Sequence, residues 1–365
     1  MSVKTAGAVF VTDCEGPISK NDNAFELTAR MIPDGERFFT QLSRYDDVLA
    51  YLVKREGYKA GDTLKLILPF LRAYSVTDRR IADFSAKTVL LVPGAKELLR
   101  HVRGFMPTFI VSTSYEHYLK VLCRALDFPF ENAFCTRLSL DSYEMSDAEA
   151  EQLRHLKEEI CEMPLIRIPE AAASLGMLPE ATRQTVKRLD EIFWTKIIRM
   201  GLGAMLRAIN PIGGAEKAKA ARKIVDDLGR RLDNVLYVGD SITDVDAFRQ
   251  VRAHGGLTVS FNGNLYAIRE AEIAVMSPNA MAIAPLADVF NKLGAESVYG
   301  LIDNWSYEGM TKHGVARALQ RRLRSIFARN LPELRRITPD NLKRVETESS
   351  SFRKRVRGER VGSLG

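Results

Sequence analysis

Apolar positions along this chain follow two rhythms. Short β-prone runs stand at Ala8–Thr12, Thr108–Val111, Ala133–Leu138, Asn234–Val238, Leu257–Phe261 and Glu272–Met276, and each is bounded by polar or turn-forming residues. Their length and β-branched content predict buried strands. The stretches between them repeat at helical spacing. From Asn21 to Phe84, Phe38, Phe39, Leu42, Tyr45, Leu49, Leu52 and Val53 form one stripe, and Leu64, Ile67, Leu68 and Leu71 form another. Pro93-Gly94 opens a helix to about Arg103, and Tyr115–Leu126 follows the second strand. A long helical stretch runs over Ser139–Ile209, charged and amphipathic at Asp147–Glu162 and apolar toward Phe193, Trp194, Ile197, Ile198, Met205 and Leu206. Further helices are predicted after Gly213-Gly214, over Asp244–Val251 and over Met281–Leu293.

Strands alternating with helices predict an α/β fold, a doubly wound parallel sheet. The helical stretches that interrupt the alternation predict a cap at residues 18–85 and a second insertion at 139–209. The sheet domain is then assembled from residues 1–17, 86–138 and 210–300, and 301–365 forms a C-terminal extension.

Composition narrows the class. The chain has 365 residues, 46% of them hydrophobic and 27% charged, enough apolar matter for a real core. Collagen, coiled coil and wholesale disorder are excluded. Ile273–Leu286, the longest candidate for a membrane span, is uncharged but short and carries two prolines, so no span is expected. Met1–Val11 lacks the charged start and long apolar run of a secretion signal. The four cysteines, Cys14, Cys123, Cys135 and Cys161, form no paired framework, and a cytoplasmic location is expected.

The formal charge of +7 is unevenly placed. Thr311–Gly365 holds 15 Lys/Arg against 5 Asp/Glu, which leaves the remaining residues mildly acidic. Val315–Leu331 reads as one amphipathic helix, and from Thr338 onward the chain is polar and expected to be mobile. The arginines read as a solvated helix face, with a nucleic-acid contact left open.

Ligands of doubly wound sheets bind at the carboxyl ends of the strands. Three such ends carry chemistry: Asp13-Cys14-Glu15-Gly16 after the first strand, Ser112-Thr113-Ser114 after the second, and Gly239-Asp240-Ser241-Ile242-Thr243-Asp244 after a later one. Lys217 stands near the start of a helix between the last two. A carboxylate at the end of a rigid strand can attack phosphorus and form an acyl phosphate. A second carboxyl two residues on can protonate the leaving oxygen. Hard carboxylate oxygens suit Mg²⁺, and hydroxyls with a lysine suit the phosphoryl oxygens. Asn262 in Asn262-Gly263 is either an ordinary turn or a residue reaching the same edge.

These four elements, in this order, resemble the haloacid dehalogenase superfamily. Val-Phe-Val-Thr-Asp13-Cys-Glu15-Gly is similar to its first motif, Ile110–Ser114 to its second, Lys217 to its third and Gly239–Asp244 to its fourth. The 23 residues from Lys217 to Asp240, and the helical block after the first motif, resemble the phosphoserine phosphatase-like branch. The resemblance implies a Mg²⁺-dependent phosphatase acting on a small-molecule phosphate monoester. Asp13 is then the nucleophile and Glu15 the general acid/base. Gly16, Ser112, Thr113 and Lys217 bind the phosphoryl group, with Ser112 and Lys217 counted among the catalytic residues. Asp13, the Glu15 backbone carbonyl, Asp240 and Asp244 hold the metal. The family's usual second acid is aspartate; glutamate moves the proton by a methylene. Phe10–Asn21 and Val259–Asn264 also resemble proteins described as energy-converting hydrogenase A subunit R. Three alternatives stay open: a binding or regulatory protein of this fold with weak catalysis, a nucleic-acid end-processing phosphatase using the tail, and a homo-oligomer.

Overall fold

The computed structural model describes residues 7–169, 171–328 and 330–362, without the side chains of 359 and 360. The readings made on the first six and last three residues lie outside the described residues. Seven strands form one sheet: β1 (Val9–Thr12), β2 (Thr108–Tyr115), β3 (Ala133–Thr136), β4 (Val235–Gly239), β5 (Leu257–Phe261), β6 (Ile273–Met276) and β7 (Glu333–Arg336). Their spatial order is β3-β2-β1-β4-β5-β6-β7. The first six in sequence run parallel, and β7 lies antiparallel on β6. The predicted α/β class is therefore the observed one.

The four residues of β1 are all buried because both sheet faces are covered. Alternation sends Phe10 to one face, with Ile110, Val238, Val259 and Val275, under Leu98, Leu122, Leu286 and Val289. Val9 and Val11 turn to the other face with Val111 and Tyr237, under Ala221, Ile224, Phe248 and Val251. From β1 the chain winds toward β2 and β3, and from β4 it winds the opposite way toward β5 and β6. The switch point therefore lies between β1 and β4, where a crevice opens at the strand ends. Register places Thr12 opposite Val238, so Asp13 and Asp240 leave the sheet side by side.

The two helical insertions bury their stripes against each other. Phe38, Leu42, Tyr45 and Phe70 from the first share one cluster with Leu153, Leu156, Val186 and Phe193 from the second. Tyr45 stacks on Phe193 with centroids 6.0 Å apart, and its hydroxyl accepts a hydrogen bond from Trp194 Nε1 at 2.9 Å. Arg44 Nη1 donates to the Ile166 carbonyl at 2.7 Å and Gln41 Nε2 to the Pro164 carbonyl at 3.0 Å. The later part of the helical stretch expected over Ser139–Ile209 is divided into Glu180–Glu191, a wide turn at Ile192–Lys196, a tight turn at Ile197–Arg199 and Gly203–Ala208. Ile192, Phe193 and Ile197 are buried together there, so packing overrides a straight helix.

The tail departs most from expectation. The amphipathic helix is present at Arg317–Phe327, with Leu319 and Leu323 in the sheet core. Beyond it the chain is folded rather than mobile: β7 buries Leu334, and a helix spans Leu342–Arg357. That helix lies against the helix Leu265–Glu270 and β6, with Val345 buried beside Ile268 and Ala274. Its buried positions, Val345, Ser349 and Arg353, recur every fourth residue. A mostly polar stripe of this kind looks solvated in sequence, yet it is satisfied here by tertiary partners. Among the described residues no helix is long and apolar enough to cross a membrane.

Candidate active site

Asp13 follows the last residue of β1, and its backbone N–H donates to the Val238 carbonyl of β4 at 2.8 Å. That bond locks the loop to the neighbouring strand. The Asp13 carboxylate accepts from the Cys14 N–H at 2.6 Å through Oδ1 and lies 2.6 Å from Lys217 Nζ through Oδ2. Lys217 also reaches Asp244 Oδ1 at 2.8 Å, and its side chain is sealed from solvent. The helix Ala215–Asp227 presents this lysine from its first turn. The preceding Gly213 lies where a Cβ would collide with the Ala60 carbonyl, so glycine lets the helix start close under the cap.

Asp244 is fully occupied. Oδ1 accepts from Lys217 and from the Tyr237 hydroxyl at 3.1 Å, and Oδ2 accepts the backbone N–H groups of Asp240 and Ser241 at 3.0 and 3.2 Å. It thereby shapes the Gly239–Asp244 loop. One oxygen from each of Asp13, Asp240 and Asp244 lies within 4.8 Å of the others. Three buried carboxylates with hard oxygen donors fit a divalent cation of the Mg²⁺ kind. Asp13 and Asp240 are the better direct ligands, because four donors already use the Asp244 oxygens.

Burial pushes the Asp13 carboxyl up to about 8, with Lys217 opposing and Asp244 and Asp240 reinforcing the rise. Burial alone would lower Lys217, but Asp13 and Asp244 hold its ammonium protonated, above the ordinary lysine value. Glu15 accepts from the Asn23 N–H at 2.7 Å through Oε1. Burial and then Asp22 push its carboxyl well above the ordinary glutamate range. Gly16 has φ +104°, and a Cβ there would collide with the Asp240 carboxylate. Only glycine lets the two loops meet at that distance.

Of the remaining predicted residues, Thr113 lines the same pocket as Asp13 and Asp240, but its hydroxyl donates to the Ile212 carbonyl at 3.1 Å. Ser112 is buried within β2, where its Oγ accepts from the Ser114 N–H at 3.2 Å. Asn262 turns its amide away: Nδ2 donates to the Ser277 carbonyl at 2.8 Å and Oδ1 accepts the Ser277 N–H at 2.9 Å. It braces two loop ends.

The sequence reading missed two site residues. Arg353 and Arg357 of the helix Leu342–Arg357 both bond Asp240 Oδ2, Arg353 through Nη1 and Arg357 through Nη1 at 3.1 Å. It also missed the acids contributed by the cap. Asp22, Asp46 and Asp47 line the pocket together with Asp13, Glu15, Asp240 and the two arginines. The pocket encloses about 80 Å³, and a cleft of about 1430 Å³ shares Ser43 and Asp47 with it.

Comparison with solved structures places gene product AF1437 from Archaeoglobus fulgidus beside this chain. The two share 28% identity, with a TM-score of 0.80 over 98% of this chain and 99% of that one. A structure described as a phospho-aspartyl intermediate analogue of phosphoserine phosphatase gives a TM-score of 0.46 at 12% identity, over 76% of this chain and 98% of that one. A haloacid dehalogenase-family hydrolase from Salmonella enterica serovar Typhi gives 0.42 at 10% identity, over 72% and 65% of the respective chains. No family model and no curated protein matches. The resemblance to energy-converting hydrogenase A subunit R finds no support in these comparisons. The chain is an α/β protein that shares its whole architecture with the Archaeoglobus protein.

Proposed function

We propose that this chain is a phosphatase of the haloacid dehalogenase type, hydrolysing a small organic phosphate monoester through an aspartyl-phosphate on Asp13. The observation that carries the reading is the convergence of Asp13, Lys217, Asp240 and Asp244 at the switch point of the sheet. An Asp13 carboxylate oxygen attacks phosphorus as the bond to the ester oxygen breaks. Glu15, whose carboxyl burial pushes up, gives its proton to that oxygen and the alcohol departs. The Glu15 carboxylate then takes a proton from water as the water oxygen attacks phosphorus, releasing phosphate and regenerating Asp13. Lys217 keeps Asp13 aimed into the crevice and offsets the charge that accumulates there. Mg²⁺ held by Asp13 and Asp240, with the Glu15 carbonyl and Asp244 in support, would neutralise the anionic phosphoryl group and draw the Asp13 carboxyl back to its ionised form.

The small pocket suits a phosphoryl group. At about 80 Å³ it leaves little room beyond such a group, so the leaving group belongs toward the larger cleft it adjoins. The test is phosphate release from an aryl phosphate with Mg²⁺ by wild type and Asp13→Asn. Release by wild type alone supports the reading, and equal rates would overturn it.

A second reading, a binding module of this fold with weak catalysis, is favoured by one observation: two guanidinium groups already pair Asp240. It requires that Glu15→Asp raise turnover, and strong native activity on a metabolite phosphate excludes it.

A further inference from the structure

We propose that the C-terminal helix is a built-in part of the catalytic centre, with Arg353 and Arg357 acting as positioning residues for Asp240. The inference rests on the phosphatase reading. Arg353 Nη1 bonds Asp240 Oδ2 and also lies 3.2 Å from the Asp240 carbonyl and 3.4 Å from the Asn262 carbonyl. Arg357 reaches the same Oδ2 and pins the chain beyond the first motif, with Nε on the Lys20 carbonyl at 3.1 Å and Nη2 on the Asn21 carbonyl at 2.5 Å. The two side chains thus tie together the loops that follow β1, β4 and β5.

Both guanidinium groups are buried, with side-chain exposures of 3% and 5%. Burying a cation costs several kcal/mol unless a partner of good geometry offsets it. A helix that only needed to dock could do so with apolar residues, as Val345 does two stripe positions before Arg353. Here the inward positions nearest the crevice are both arginines, and both select the same carboxylate oxygen. That oxygen is also walled in by Gly16. Asp240 is thereby held through Oδ2, which leaves its other oxygen, Oδ1, for a cation. Partners that orient a metal ligand in this way are worth about 10–100-fold in metal affinity or activity.

A purely architectural helix makes a different prediction, so full-length variants separate the two. Mn²⁺ affinity is read by calorimetry, and kcat and KM on an aryl phosphate are read alongside. Arg353→Met is expected to weaken Mn²⁺ binding by about 10–100-fold and to lower kcat with little change in KM. Arg353→Lys should restore part of both, because it keeps the charge but not the planar fork. Ser349→Ala removes only the docking bond from Ser349 Oγ to the Gly263 carbonyl, 2.7 Å long. It should lower thermal stability and leave Mn²⁺ affinity and kcat unchanged. Folded Arg353→Met with wild-type affinity and kcat would overturn the inference. If that variant does not fold, Arg357→Met is measured the same way, and wild-type values there would overturn it instead. A wild-type chain that binds no Mn²⁺ would sink the phosphatase reading and this inference together, whereas unaltered variants of a Mn²⁺-binding wild type sink only the inference.

Discussion

Lys217 Nζ stands 2.6 Å from Asp13 Oδ2, with both side chains buried. Even with that cation in contact, burial leaves the Asp13 carboxyl at about 8 against an ordinary 3.8. The folded, metal-free protein therefore holds a proton there that the unfolded chain has already released. Stability falls with rising pH wherever the native state binds more protons, here between about pH 4 and pH 8. Metal-free Asp13→Asn should be more stable than wild type at pH 8 and above, with the difference closing toward pH 4. Urea unfolding across that range, with chelator present, checks it. Added Mg²⁺ should raise the stability of wild type and not of the variant.

Lys217→Met leaves Asp13 and Asp244 in the same buried space without their shared cation. Breaking a buried pair from one side costs about 3–5 kcal/mol. Denaturant unfolding at neutral pH should show a loss of that size. A loss below about 1 kcal/mol at neutral pH would mean that the lysine does not hold the site together.

Glu15 is raised by burial and by Asp22, so its acid form persists well above the ordinary glutamate range. For a residue that must donate a proton, kcat/KM should be level while the proton is held and fall on the alkaline side of its titration as that proton is lost. Glu15→Gln should slow turnover by about 10²–10⁴-fold and remove the alkaline limb assigned to it. An unchanged limb in the variant would assign it to another group.

At φ +104° and against the Asp240 carboxylate, Gly16 has no room for a side chain. Gly16→Ala should displace Asp240 and cost about 1–3 kcal/mol in backbone strain. A melting curve and a Mn²⁺ titration of the same sample read the two effects. Retention of both stability and affinity would contradict the close approach.

The sheet and the acids at its edge were readable because their signals are local. A strand buried on both faces, such as Val9–Thr12, is a short apolar run, and the acids of its loop stand within three residues of it. The apolar stripes of the two insertions were equally visible, but that Tyr45 would meet Phe193 is a relation across 148 positions with no local mark. The tail misled for a physical reason. Val345, Ser349, Arg353 and Arg357 face inward at every fourth residue, yet only one of the four is apolar. The charge that makes Arg353 tolerable indoors sits 113 residues away on Asp240. Without that partner in view, a basic polar stretch reads as solvated chain.

The central claim is a covalent phosphoryl group on Asp13. Wild-type protein is quenched during turnover of an aryl phosphate with Mg²⁺ and treated with borohydride, which reduces an acyl phosphate to the alcohol. Peptide mass spectrometry should then find homoserine at position 13, and none in protein quenched without substrate. Active enzyme that yields reduced product at another acid, or none at position 13, would contradict the account.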